Sequence, residues 1–372
     1  MRRVHRVLVT AATALAVVAV PSAAQASPAK ADRGGLQKGL DDIVANGAVG
    51  AVMEVGGNGG GVWRGTSGVA ELGTSREMPA HGRFRAGSIT KTFVATVVLQ
   101  LVDKGPLRLD DTVEKWLPGV VPGGDRITVR QLLNHTSGVP DYRGTLPMPP
   151  TPEFEADRFR TWSATELIRR AVAQPPTPDA PGTKYAYSNT GYLLLGEIIR
   201  KVTGRSYAVE IERRIIEPLR LHGTSLPGTS SRIRGPHPHG YIPVRQGDET
   251  RLVDFTEMNP SLMGAGGEMI STTGDLNRFM AELVGGRLLP RHLLDEMKTP
   301  GVEGKRYGLG LRRQDTPCGV RVYGNDGDAL AYQAWSFATE DRRRQVTIAL
   351  TPDFRGDPDD AVEALLDKAI CG

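Results

Sequence analysis

The sequence predicts an α/β chain in which both ends build one α/β domain and a mainly helical domain is inserted between them. Three observations predict it. Short runs rich in valine and aromatic residues, broken by a glycine cluster, lie at 48–69. Strand-like runs return after Tyr307. Between 107 and 300 the pattern changes to helical spacings separated by long Pro/Gly loops. The α/β part is placed at about 32–106 and 301–372, and the helical part at about 107–300.

Residues 1–26 read as a cleaved secretory signal. Arg2, Arg3 and Arg6 form a basic start, residues 7–20 an apolar core too short to span a bilayer comfortably, and Ala24-Gln25-Ala26 a cleavage site. Residues 27–372 are then the exported, secreted protein, with no membrane anchor and a monomeric state expected. The net charge of +4 belongs mostly to this leader, because three of the 46 basic residues and none of the 42 acidic ones lie in it. The remainder offers no argument for nucleic-acid or membrane binding. Cys318 and Cys371 are the two cysteines, and in an exported protein such a pair is expected to form one structural disulfide.

Leu36, Leu40, Ile43 and Val44 have helical spacing that Asn46-Gly47 ends. Two strands joined by a turn follow at 48–55 and 61–69. Residues 93–102 are apolar and read as a buried helix, running to about Lys104 before Gly105-Pro106. Further helices are expected at 128–134, with Thr128 as N-cap, and at 165–174, 191–202, 207–216 and 275–283. Strands are expected at 307–312, 320–323, 330–338 and 345–351, and a closing helix at 361–370. His237 and His239 fall in a Pro/Gly loop without a nearby third ligand, so no metal site is assigned.

Ser88 stands where the apolar helix should begin, and Lys91 follows one helical turn later. That spacing puts an amine beside a hydroxyl, a way to activate a serine without histidine. Backbone N–H groups at the helix start can stabilise an oxyanion. Ser-x-x-Lys is expected about once by chance in a chain this long. A second copy, Ser27-Pro28-Ala29-Lys30, has no helix to present it. Tyr185-Ala186-Tyr187-Ser188-Asn189 precedes another apolar helix and can place a phenol and an amide on one side of an extended segment. Tyr187 as a packed loop residue and Asn189 as a helix cap are the structural alternatives, and Tyr323-Gly324-Asn325 repeats the pattern.

Four runs occur in order: 84–94, Leu132-Leu133-Asn134-His135-Thr136-Ser137-Gly138, Pro181-Gly182 through Gly196, and Gly264-Ala265-Gly266-Gly267 through Leu276. Together they resemble the class C β-lactamase-related serine hydrolases, a penicillin-recognising family, and most closely its secreted actinomycete-type D-alanyl-D-alanine carboxypeptidases. The resemblance extends to Tyr307-Gly308-Leu309-Gly310-Leu311-Arg312-Arg313 and the terminal Cys371-Gly372. It implies an antiparallel sheet flanked by helices and acyl-enzyme chemistry without metal or organic cofactor. Ser88 is then the nucleophile, Lys91 takes its proton directly or through Tyr187, Tyr187 passes a proton to the leaving group and Asn189 is a substrate-orienting amide. The resemblance puts the oxyanion hole at the N–H groups of Ser88 and Asp328. It implies a small peptide, ester or β-lactam as substrate.

The chain departs from the family at its third motif. Relatives carry Lys or His, then Thr or Ser, then Gly, whereas Asn325-Asp326-Gly327-Asp328 stands here. These four residues and Arg312, at the family's carboxylate-contacting position, are the candidate substrate-binding wall. An acid about 4 Å from a substrate carboxylate repels it by roughly 4 kcal/mol at an effective dielectric of about 20. Arg312 is left either to compensate or to pair with Asp326 or Asp328, and the four residues are left as strand or Asp-Gly hairpin turn. The function expected is a D-alanyl-D-alanine carboxypeptidase. An esterase, D-aminopeptidase, amidase or β-lactamase is the alternative, and a non-catalytic wall-peptide or β-lactam binder the second.

Overall fold

The computed structural model describes residues 32–57 and 61–372. The leader at 1–26 and the Ser27–Lys30 copy of the motif lie outside the described residues. Strands β1 (Ala48–Gly56) and β2 (Trp63–Gly68) follow helix α1 (Arg33–Ala45). A two-residue strand β3 (Phe84–Arg85) leads into a 3-10 turn at Gly87–Ile89 and helix α2 (Thr90–Asp103). The middle holds α3 (Val113–Trp116), α4 (Val129–Leu133), α5 (Pro152–Ala156), α6 (Ala164–Val172), α7 (Asn189–Thr203), α8 (Tyr207–Ile211) and α9 (Glu217–Leu219). Strands β4 (Tyr241–Gln246), β5 (Glu249–Asp254) and β6 (Ile270–Ser271) come next, then α10 (Thr273–Val284) and α11 (Arg291–Lys298). Strands β7 (Arg312–Asp315), β8 (Arg321–Asp328), β9 (Gln333–Thr339) and β10 (Gln345–Pro352) precede α12 (Asp359–Cys371).

Both ends share one antiparallel sheet of order β2-β1-β10-β9-β8-β7. The joint is β1 against β10, with Ala51 opposite Leu350 and Met53 opposite Ile348. Every residue of β10 is buried, because helices cover both sheet faces. On one face Leu36, Leu40 and Ile43 of α1 and Leu365, Leu366 and Ile370 of α12 close a core over Met53 and Ile348. On the other, Phe279 of α10 stacks on Phe93 of α2 with ring centroids 3.6 Å apart. Helix α2 is buried on every face from Thr90 to Leu99, and each such Val or Leu contributes about 1.5–3 kcal/mol of burial. That burial fixes Lys91 on a rigid element, with the Ser88 turn leading directly into it.

The helices at 128–134, 165–174, 191–202 and 275–283 form within a residue or two of expectation. Thr128 caps α4 in a reciprocal box with Gln131. Three local expectations are corrected. Ser88 lies in the 3-10 turn before α2, not in the α-helix itself. The middle part contains a hairpin, β4 with β5, and β6 pairs with β3 directly before the serine. The run 307–311 is not a ladder strand, since β7 begins at Arg312. Of the two readings left open for residues 325–328 the strand is the one formed, since they end β8 and pair with β9. A disulfide joins Cys318 to Cys371 with Cα atoms 5.8 Å apart, tying the end of α12 to the β7–β8 connection. Among the described residues no helix is long and apolar enough to cross a membrane.

Candidate active site

Gly87 starts the turn that presents Ser88. It adopts φ +53, and a Cβ there would lie 2.7 Å from the backbone of Asp328. At Gly327 a Cβ would lie 2.0 Å from the carbonyl of Ala86 and 3.0 Å from the Ser88 nitrogen. These two glycines let the serine turn and the end of β8 run side by side. The backbones of Ser88 and Asp328 thereby lie close together, as the expected oxyanion hole requires.

Four of the expected site residues meet around one amine. Lys91 Nζ donates to Ser88 Oγ at 2.9 Å, to Asn189 Oδ1 at 2.8 Å and to the Gly266 carbonyl at 2.6 Å. The hydroxyls of Ser88 and Tyr187 are 2.7 Å apart, and either can donate. Lys91 is fully buried. Burial pushes its ammonium down to about 7, opposed by the nearby Asp141 charge and helped by Arg143. A neutral amine is fully satisfied here. Its two hydrogens go to the pure acceptors Asn189 Oδ1 and Gly266 O, and its lone pair faces the serine hydroxyl, which can donate.

Tyr187 is 41% exposed, but its hydroxyl points inward at Ser88. Burial of that hydroxyl raises its pKa, partly offset by the Ser88 bond, so it is a phenol at neutral pH. Asn189 opens α7 as its first helical residue, with Ser188 at the cap. Its Nδ2 donates to Asp141 Oδ2 at 2.7 Å, which turns Oδ1 toward Lys91. Asp141 and the Gly266 carbonyl are functional groups that the motifs do not mark. Both lie in or beside those motifs, but a backbone acceptor leaves no side-chain signature.

The β8 wall is rearranged relative to expectation. Arg312 pairs with Asp326, Nη1 to Oδ1 at 2.7 Å, so of the alternatives left open the ion pair is the one formed. Asp328 Oδ1 accepts from the Leu330 N–H at 2.6 Å and caps the turn after the strand. Asn325 is buried with its amide directed at Thr92 Oγ1 and Tyr307 Oη, so it braces α2, while it and Asp328 still line the cleft over Ser88. A cleft of about 440 Å3 opens over Ser88 between Tyr185, Tyr187, Tyr307, Arg312 and Asp326. Arg143, Lys305 and Arg306 also line it, and none of the three forms an ion pair among the described residues. Burial and the charge of Asp326 push the Tyr185 hydroxyl up to about 12. On the other flank of Ser88 a recess of about 30 Å3 is walled by Tyr142, Met148, Leu262, Met263 and Leu330. A separate cleft of about 340 Å3 between Val121, Ile127, Val139 and Pro176 includes none of the groups around Ser88.

The profile of the family described as Beta-lactamase matches residues 36–370. A D-stereospecific amidohydrolase from Streptomyces sp. is 40% identical to this chain. Its structure superimposes with a TM-score of 0.81 over 90% of this chain and 98% of that one. The D-amino acid amidase of Ochrobactrum anthropi SV3, complexed with D-phenylalanine, is 27% identical with a TM-score of 0.77 over 92% and 99%. Penicillin-binding protein 4* of Bacillus subtilis (strain 168) is 27% identical over 299 residues, covering 74% of this chain. The chain spans 62% of that protein's length. None of the three is named a carboxypeptidase, so the narrower likeness to the secreted carboxypeptidases rests on the sequence motifs alone. A hydroxyl held on a buried amine at a helix start, a mixed fold with both ends in one antiparallel sheet, and a family match over nearly the whole described chain agree: this protein belongs to the β-lactamase family of serine hydrolases, with the penicillin-binding proteins among its relatives.

Proposed function

We propose that this chain is an amidohydrolase that cleaves amides of D-configured amino acids through an acyl-enzyme on Ser88. One observation carries the choice of substrate. At the strand position facing Ser88 there is neither a hydroxyl nor a free cation, but Asp326 already engaged by Arg312. That pair suits a neutral carboxamide or an α-ammonium better than a terminal carboxylate. The names of the amidohydrolase and amidase with similar structures support the same choice, including its D-stereochemistry.

In the proposed cycle neutral Lys91 accepts the Ser88 proton as Oγ attacks the amide carbon. The N–H groups of Ser88 and Asp328 stabilise the oxyanion. The C–N bond then breaks, and the leaving amine takes a proton relayed from Lys91 through the Tyr187 hydroxyl. Tyr187 serves as relay and not as base, because its raised pKa leaves negligible phenolate at neutral pH. Asn189 holds the amine of Lys91 and lines the recess on the other flank of Ser88. Water then attacks the ester carbon, giving its proton to Lys91, and Ser88 regains a proton as the acid leaves. The disulfide and the leader support a place of action outside the membrane.

A second reading, the D-alanyl-D-alanine carboxypeptidase, is favoured by Arg143, Lys305 and Arg306, cations on the cleft wall that could hold a carboxylate. The deciding experiment measures kcat/KM for D-phenylalanine amide, its L-isomer and an N-acetylated D-Ala-D-Ala peptide. Intact-mass detection of an ester-derived adduct, present on the parent and absent from Ser88→Ala, accompanies it. A preference of at least 10-fold for the peptide would return the function to carboxypeptidase. Hydrolysis retained in Ser88→Ala would sink both readings.

A further inference from the structure

We propose that His135 is a positioning residue, whose imidazole and backbone hold the Tyr187 segment so that the tyrosine hydroxyl reaches Ser88. This goes beyond the proposed function and rests on its reading of Tyr187 as proton relay.

His135 follows α4 in the left-handed region, φ +59, where His, Asn and Asp are enriched among non-glycine residues. That conformation turns both its carbonyl and its ring toward the same strand of chain. The carbonyl accepts the N–H of Ala186 at 2.8 Å. Nδ1 accepts the N–H of Ser188 at 3.2 Å. The residues on either side of Tyr187 are therefore fixed to one side chain and its own backbone. The imidazole is also the bed on which the tyrosine ring lies, with centroids 4.3 Å apart and planes 33° apart. Tyr307 and Tyr192 close in at 4.9 and 5.4 Å, and Tyr185 meets it edge-on at 5.8 Å.

The chemistry of the ring points the same way. The Ser188 N–H can only donate, so Nδ1 must be bare and a neutral ring carries its proton on Nε2. Nε2 is buried with no hydrogen-bond partner among the described residues. An apolar ring would fill this space without stranding a polar atom, so packing alone does not account for histidine. What histidine adds is an acceptor on a flat ring in a left-handed turn. Burial and the adjoining Lys91 charge hold it well below its usual pKa, which keeps the Nδ1 lone pair available. Displacing a catalytic group by about 1 Å can cost about 100-fold in rate, so a bed under Tyr187 matters to the chemistry.

The test is a double-mutant cycle. His135→Ala removes ring and acceptor. His135→Asn keeps an acceptor near the Nδ1 position and tolerates the left-handed turn, but removes the ring. Each is made in the parent and in a Tyr187→Phe background. We would measure kcat and KM on D-phenylalanine 4-nitroanilide and ethyl butyrate, whose leaving groups both need a proton, with thermal unfolding to fix the folded fraction. In the parent, His135→Ala should lower kcat at least 30-fold while KM changes less than 3-fold, and His135→Asn should lie between. With Tyr187→Phe the further loss should be under 3-fold, because the group being positioned is already gone. An equal loss in both backgrounds, or one that follows the folded fraction, overturns the proposal. If His135→Ala does not fold, His135→Asn carries the same comparison. The ester needs no D-amino-acid recognition, so its arm decides even if the anilide is not a substrate.

Discussion

Arg312 on β7 holds Asp326 on β8 by a 2.7 Å ion pair at the edge of the cleft. Both side chains are about a third to a half exposed, so the pair contributes only about 0.2–1 kcal/mol to stability. Its consequence is for recognition. Asp326→Thr releases the guanidinium and supplies a hydroxyl beside it. Steady-state kinetics should show kcat/KM rising about 10-fold on an N-acetylated D-Ala-D-Ala peptide and falling on D-phenylalanine amide, with little change in melting temperature. No shift between the two substrates would show that the repulsion from Asp326 does not govern selection.

Lys91 must be neutral to accept a proton, and its amine is held down to about 7 by burial. The pH profile of kcat/KM should therefore rise through about pH 7. The linkage to stability has a definite sign. Unfolded lysine titrates near 10.5, so between about pH 7 and 10.5 the unfolded chain binds more protons and stability rises with pH. Below about pH 7 both states are charged and the cost of burying the ammonium is fully present. Lys91→Met should lose at least 1,000-fold in kcat yet melt higher than the parent at pH 6. A lower melting temperature there would contradict the burial argument.

Asp141 acts on the site at two points, orienting the Asn189 amide and raising the Lys91 pKa. Asp141→Asn should cost about 10-fold in kcat. It should also move the acid limb of the pH profile below that of the parent, since the charge that stabilised the ammonium is removed. A limb moved upward would show that the carboxylate does not reach Lys91 electrostatically.

Tyr187→Phe removes one hydroxyl and leaves the ring on its histidine bed. The loss in kcat should be about 100-fold on an amide, whose leaving group needs a proton. It should be smaller on a 4-nitrophenyl ester, whose leaving group does not. Equal losses on the two substrates would place the tyrosine outside the proton path.

The disulfide closes a loop of 53 residues between Cys318 and Cys371. The loop-entropy account, which is model-dependent, puts such a bridge at about 4 kcal/mol. Cys318→Ser with Cys371→Ser should lower the denaturant midpoint by a corresponding amount. Turnover by the folded protein should hardly change, since neither cysteine lines the cleft.

Much of this was legible because the signals are local or periodic. Ser88 and Lys91 are three residues apart, and the apolar run behind them is buried on every face. Tyr187 and Asn189 lie about a hundred residues away, and only the ordered motifs connected them to that pair. What escaped was long-range and uncoloured by side chains. The Gly266 carbonyl reaches Lys91 from 175 residues away through backbone alone. The β4–β5 hairpin turns at Gly247-Asp248, a usable turn signal, but Pro243 within β4 disguised the strand. Residues 325–328 read as strand with a hairpin turn as the alternative, because Asp-Gly favours turns. Pairing of Gly327 with Ala334 decided it, and the reversal lies at Leu330, φ +69.

The sheet that joins the two ends of the chain also sets when activity can exist. Asn325 reaches Thr92 across 233 residues, and β8 supplies a wall to a serine made long before it. Synthesis from the N-terminus delivers the nucleophile first and the far wall nearly last. Such distant pairing also makes closure a slow event in folding. A chain interrupted before β8 carries every side chain around Lys91 and still lacks the Asp328 nitrogen beside Ser88. Hydrolysis by this protein is thus a report on the completed molecule, silent until its final strands are in place.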